Sequence, residues 1–301
     1  MPKELQVVKS NHIISASYRL SVAEQRVILS CIAQVRRDEQ VSDDVFYSVT
    51  AADLAAMCGT DQRTAYRDLA AAAERLFERR ITILFEPDGS ERHPRKRLTR
   101  WVQDVDYVPG EGRVSLRFGK TILPFLTGLT EQFTRYQLSD VARMTSAHAV
   151  RLFELLAQYG SVGQREISIE ELRDWFQLEG RYPSIKDLKR WVLDPAVEQV
   201  NQHSPLQVAW AQRKTGRRVS HLLFTFSPKK TKAAIKATEK PQEKRKVDTK
   251  ADDAPSFAIA LAKRAGLTPA QITRKARPGE TWEQAAARLA MERAAAEAVA
   301  T

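Results

Sequence analysis

Lys186, Lys189 and Arg190 recur at i, i+3 and i+4, so on a helix they share one face, while Ile185, Leu188 and Val192 share another. A basic face braced by an apolar one is built to meet phosphates or base edges. Arg213, Lys214, Arg217 and Arg218 follow around a predicted hairpin tip, where a wing meets a sugar-phosphate backbone. A second set, Gln62, Arg63, Thr64, Tyr66 and Arg67, opens another predicted helix with side chains suited to bases or phosphates. Arg92, Arg95, Lys96 and Arg97 follow it on a loop that is expected to be that helix's wing. The competing reading of each cluster is a solvated basic surface. Glu74, Glu78, Glu86, Asp88 and Glu91 dilute the charge of the first set, which ranks it as the lesser contact.

Acid–base, nucleophilic and metal chemistry fit poorly. Gly119-Lys120-Thr121 matches the end of a phosphate-binding loop, but the earlier glycine such a loop requires is replaced by Val114. His12, His93, His148, His203 and His221 are scattered and none pairs as a ligand set. Asp43-Asp44 and Asp104/Asp106 are accounted for by turns and strand faces. No catalytic residue, metal or cofactor is expected, and the chain reads as a non-enzyme.

The elements that must position these residues occur in one order, twice. Ser21 with Glu24 forms a capping box ahead of an apolar stripe, Val27, Ile28, Cys31, Ile32 and Val35. Thr50 with Asp53 starts a short helix that Gly59 ends, and Asp61 to Arg80 resumes with Ala65, Leu69, Ala72 and Leu76 inward. Strands are predicted over 81–85, over 98–108 as one run, and over 113–118. The second copy has a helix from near Thr145 to Gly160, one capped by Ser168 and Glu171, and one after Ser184 with Pro195 inside it, where a bend is expected. Strands over 206–212 and 218–226 close it. Three helices and a hairpin, twice, predict an α+β chain of two tandem winged-helix domains, over 1–130 and 131–228.

Composition separates a third part. With 48 Lys+Arg against 37 Asp+Glu, the formal charge is +11 and the pI near 9.7, which calls for a polyanionic partner. From Lys229 to Lys250 nine basic residues stand against three acidic ones, with too little apolar surface to offset ordering. The 229–301 segment is therefore expected to be a basic, largely disordered tail with short Ala-rich helices at 256–265 and 281–300. Two cysteines, Cys31 and Cys58, make no disulfide framework, and neither a membrane-spanning run nor the apolar core of a secretion signal is present, so a cytoplasmic protein is expected.

Taken in order, VVKSNHIISASYRLSVAEQRVILSCIAQV at 7–35, YQLSDVARMTSAHAVRLFELLAQYG at 136–160, ISIEELRDWFQL at 167–178 and the run 182–226 resemble the initiator replication proteins of iteron-bearing, theta-replicating plasmids. The resemblance covers roughly 7–228; the tail has no counterpart in it. It implies monomers that bind directly repeated origin sequences in double-stranded DNA, and a homodimer in equilibrium with them that binds an inverted repeat and represses its own gene. It implies, too, host replication initiator and helicase proteins as partners. Lys186, Lys189 and Arg190 match the family's C-terminal recognition helix, and Arg213, Lys214, Arg217 and Arg218 its basic wing. The first-domain loop with strands 98–118 matches its dimerisation region. A tandem winged-helix repressor with no replication role is the alternative.

Overall fold

A computed structural model describes residues 5–36, 41–85, 95–229, 266–277, 280 and 282–299. The chain opens with β1 (Gln6–Ser10), α1 (Asn11–Ile14) and β2 (Ser17–Tyr18). The first unit then runs α2 (Val22–Ile32), β3 (Tyr47–Thr50), α3 (Ala51–Cys58), α4 (Gln62–Leu76), β4 (Arg80–Phe85), β5 (Arg95–Arg100), β6 (Val102–Val108) and β7 (Arg113–Phe118). Next come β8 (Phe133–Gln137) and α5 (Ser139–Ala142). The second unit runs α6 (Ala147–Ala157), β9 (Gln164–Ser168), α7 (Ile169–Trp175), α8 (Ile185–Leu188), a π turn (Lys189–Leu193), α9 (Asp194–His203), β10 (Leu206–Thr215) and β11 (Arg218–Pro228). Helices α10 (Pro269–Lys275) and α11 (Trp282–Val299) follow.

Helix, strand, helix, helix and closing hairpin recur in both units, so the chain is two tandem winged-helix domains. Local hydrogen bonding sets the helix starts. Ser21/Glu24, Thr50/Asp53 and Ser168/Glu171 each form a reciprocal capping box, and Asp61 caps α4 through the Thr64 amide at 2.9 Å. The cap holds the Asp61 carboxyl below its ordinary range. Gly59 closes α3 in the left-handed region, φ 68°, which the missing Cβ permits. Each unit's sheet has a first strand that is too short to show in the sequence: β3 pairs with β7 in the order β3-β7-β6, and β9 with β11 in the order β10-β11-β9.

Two expectations are corrected. The single strand over 98–108 is two, divided at Trp101, which is fully buried with its ring edge-on to Tyr18 at 4.9 Å. Burying that indole turns the chain out of the sheet β2-β4-β5 and into β3-β7-β6: Arg100 pairs with Arg80, Val102 with Phe118. Arg95, Lys96 and Arg97 therefore belong to an inserted hairpin, not to the sheet closing α3 and α4; Arg92 lies outside the described residues. The wing position of the first unit falls to the β6–β7 turn, Pro109 to Gly112. The helix after Ser184 runs unbroken to His203 as expected, with a π turn inside it. Pro195 has no amide hydrogen to give its i−4 carbonyl, and one residue earlier the Asp194 amide reaches Lys189 O in a π-type bond. The expected bend is thus an inserted residue of register.

Gly112 makes the first wing turn possible. Its φ is 54°, and a Cβ there would stand 3.0 Å from the Tyr66 ring. Gly112→Ala is expected to cost roughly 1–2 kcal/mol for the left-handed backbone, plus the displacement of Tyr66. Gly128→Ala, at φ 62° with open space around it, meets the backbone cost alone. Urea midpoints of the two variants, compared with the parent, measure the difference. An equal loss would show that Tyr66 moves aside freely.

One continuous core runs through both units, from Val7 to Phe226. The ladder of β1 with β8 crosses residue 130, tying the N-terminus to α6. Behind it lies a buried ionic cluster: the Glu154 carboxylate accepts from Lys9, Tyr136 and Tyr18, and Arg151 stands 3.6 Å away. Lys229 donates to the Asn201 and Ser204 carbonyls. Ile272, Ala276, Ala285, Ala286 and Leu289 form a small second core between α10 and α11 that packs on Val162. The 256–265 helix and the linker from residue 230 lie outside the described residues. Both cysteines are free and buried, and burial pushes their thiols up.

Candidate nucleic-acid interface

In the second unit the helical run after Ser184 and the β10–β11 hairpin are joined through Trp210. Lys189 places Nζ 5.1 Å from the Trp210 ring centre, which ties the π turn to β10. Arg190 is exposed, its guanidinium 4.9 Å from the ring of Trp191, and Trp191 itself is 56% exposed. Lys186 is exposed on α8, behind the Ser184 cap. The three cations expected on one helical face thus divide: Lys186 and Arg190 stand free in solvent, and Lys189 is half-buried against the hairpin. The Trp210 ring beside Lys189 is what takes that cation out of the solvent-facing set.

The β10–β11 hairpin turns on Gly216 and Arg217 between the paired Thr215 and Arg218. Gly216 has φ 62°, suited to the first corner of a two-residue turn. Lys214, Arg217 and Arg218 project from this tip, all exposed. Arg213 departs from the expected cluster. It crosses β11 to make two 3.0 Å hydrogen bonds to the Glu166 carboxylate, so its charge is spent within the protein.

In the first unit Gln62, Arg63 and Arg67 are exposed at the start of α4, and Thr64 is half-buried. Tyr66 is less available than its exposure suggests: its hydroxyl donates to the Pro109 carbonyl at 2.6 Å, bracing the wing turn. That turn carries no free cation comparable to the second unit's. Arg113 is paired with Glu111 at 2.7 Å and holds its carboxyl below the ordinary range. Arg95 and Arg97 stack over Phe85 at 4.6 and 5.2 Å, on the hairpin whose free edge is β5. Lys96 stands opposite Leu84 on the same hairpin.

Sequence reasoning missed Trp191 and Trp210, although an indole following two cations in Lys189-Arg190-Trp191 is a readable signal. It also missed Glu166, which no local pattern links to Arg213. Asp44 and Asp104 converge on Arg117, so they balance a cation and form no acid pair. Among the described residues no group of three or more His, Cys, Asp or Glu could hold a metal ion, and no helix is long and apolar enough to cross a membrane.

Comparison with known proteins agrees with this architecture. The family described as "Initiator Replication protein, WH1" matches residues 6–157, and "Initiator Rep protein, WH2" matches 168–226. An uncharacterized 27.6 kDa protein of Escherichia coli is 29% identical over 238 residues, spanning 75% of this chain and 97% of its own. A replication initiation protein of Escherichia coli is 27% identical over 229 residues, spanning 73% and 69%. Among solved structures, the Pi initiator protein in complex with iteron DNA shares the fold with a TM-score of 0.64 at 23% identity, covering 77% of this chain and all of that one.

Proposed function

We propose, because this chain belongs to the family of initiator replication proteins, that it is a plasmid replication initiator whose monomer binds directly repeated origin DNA. The observation that carries the reading is the second unit's arrangement of unspent cations. Lys186 and Arg190 on the reading helix and Lys214, Arg217 and Arg218 at the wing tip have no carboxylate partner among the described residues. The first unit, with Gln62, Arg63 and Arg67 exposed, makes the lesser contact on the same duplex. Opening of the adjacent origin and recruitment of host replication initiator and helicase proteins complete the proposed role; family membership supports them.

A homodimer that represses the protein's own gene is part of the same proposal. Its support is the inserted hairpin. β5 is an edge strand, and Leu84 and Leu98, 46% and 58% exposed, share one face of β4–β5 with Lys96. An unpaired edge beside exposed leucines suits pairing with a second copy. Division of labour between units, with residues 1–130 for dimerisation and 131–228 for reading repeats, follows from that assignment.

Footprinting on the DNA flanking the gene tests the proposal. Protection is expected over a direct-repeat array, spanning successive major grooves about 10 base pairs apart for each bound monomer. Binding should weaken steeply with salt, each neutralised phosphate adding close to 0.9 to the log–log slope. Protection of a solitary inverted repeat alone would favour the repressor reading. A nearly flat salt plot would remove the electrostatic basis of both.

A further inference from the structure

Between the two units lies a cleft of about 370 Å³. Arg19 and Ser21 line it from the connection between β2 and α2, Arg79 from beyond α4, His148 and Arg151 from α6, and Arg181 from beyond α7. Four arginines meet there, and no carboxylate is among the lining residues. Arg79 is already bound through Nε and an Nη to the buried Glu24 carboxylate. Arg19 and Arg181 have no carboxylate partner among the described residues, and Arg19 is exposed; Arg181 gives one hydrogen bond to the Tyr182 hydroxyl at 3.3 Å.

Two of the lining residues, Arg151 and Gln25, are themselves buried and carry polar atoms without partners. Arg151 is 3% exposed; it gives Nη1 to the Tyr18 hydroxyl and Nη2 to the Ala16 carbonyl, and its Nε has no partner. Gln25, 4% exposed, donates its amide to the Ala147 carbonyl, and its Oε1 has no partner. Arg151 lies 3.6 Å from the Glu154 carboxylate and Arg79 is held by Glu24, so the cleft's uncompensated cations are Arg19 and Arg181, a pair that an oxyanion matches. His148 stacks on Phe176 at 5.2 Å; burial, and then Arg181, Arg19 and Arg151, push its imidazole down to about 4. A neutral ring at physiological pH leaves one N–H to donate.

We propose that this cleft is a phosphate-binding site, in which Arg19 and Arg181 close on a phosphate group over the floor formed by Arg151 and His148. The walls belong to both units, so an occupant bridges them and holds their relative placement. Two sources carry the same chemistry: a backbone phosphate of bound DNA, or a free phosphate or phosphate ester.

The test uses the full chain. His148 ring resonances are followed by NMR during titration with inorganic phosphate and pyrophosphate at constant ionic strength. Saturable shifts are expected, with the His148 pKa rising from about 4 as the anion offsets the surrounding cations. The double substitution Arg19→Gln, Arg181→Gln should weaken the response about tenfold or more. Arg19→Gln alone, at an exposed position, guards against loss of fold and should weaken it in part. If the source is DNA, duplex competes with phosphate for the His148 shift, and the double variant lowers the salt slope by roughly one to two. If it is a free phosphate, the shift persists on DNA-bound protein and the slope stays unchanged. Failure of DNA binding would sink the function proposed above and leave the phosphate titration standing. No saturable shift with either anion, together with an unchanged salt slope in the double variant, would overturn the site.

Discussion

Alanine at Arg190 is expected to remove about 1–3 kcal/mol of discrimination between the cognate repeat and a scrambled duplex, while binding to the scrambled duplex stays near the parent value. The guanidinium is exposed on the π turn and stacks on Trp191. That stacking restricts the side chain before DNA arrives, so less rotamer freedom is lost when two N–H groups meet a guanine edge. Lys214→Ala or Arg217→Ala should act differently. Both sit at the wing tip, where they meet phosphates, and their loss should lower specific and nonspecific affinity together. Arg213→Ala should do little to either, because Glu166 already holds that charge. Competition titrations at fixed salt, with helicity checked by circular dichroism, separate these outcomes. If Arg190→Ala kept the full specificity ratio and Arg63→Ala or Arg67→Ala abolished it, the first unit would be the reader.

The largest loss of stability is expected at Glu154. This carboxylate is 1% exposed and neutralises Lys9, also 1% exposed, beside Arg151. Burial by itself would raise its pKa, but Lys9 and Arg151 outweigh burial and hold the carboxyl below the ordinary range. Glu154→Ala leaves the Lys9 ammonium without a counter-charge and should cost about 3–5 kcal/mol, read from urea unfolding. The paired change Lys9→Met, Glu154→Leu removes the Lys9–Glu154 pair but leaves Arg151 without its carboxylate, so it should recover only part of the loss. A loss under 1 kcal/mol for Glu154→Ala would mean that water or another cation position relieves Lys9. Acid acts on the same region. With a folded pKa below the unfolded one, Glu154 contributes above the ordinary carboxylate range and loses that contribution as pH falls through its depressed folded value. His148 loses its share earlier, between the ordinary 6.5 and about 4, because protonation must wait for unfolding. Both effects have one sign, so the junction weakens on acidification.

Residue order alone determined the repeated helical frame, because caps and apolar stripes act within one or two turns. Ser21/Glu24, Thr50/Asp53 and Ser168/Glu171 are contacts three residues apart, so reading the sequence amounts to reading the contact. The basic runs at 186–190 and 213–218 were legible for the same reason, and the family resemblance rests on these same segments. Partnerships across the sheets were not legible. Trp101 breaks an apparently continuous strand since its indole is needed in the core, and that break moves Arg95, Lys96 and Arg97 away from the wing of α4. The strands β3 and β9, four and five residues long, are too short for their alternation to stand out in the sequence, and they exist through hydrogen bonds to β7 and β11. Glu166 neutralises Arg213 from two strands away, Trp210 takes Lys189 off the solvent face, and Pro195 is accommodated by a π turn. The arginine cleft draws Arg19, Arg79, Arg151 and Arg181 from positions up to 162 residues apart. Local hydrogen bonds are set by spacing along the chain, whereas which charge is spent and which stays free depends on what folding brings alongside it.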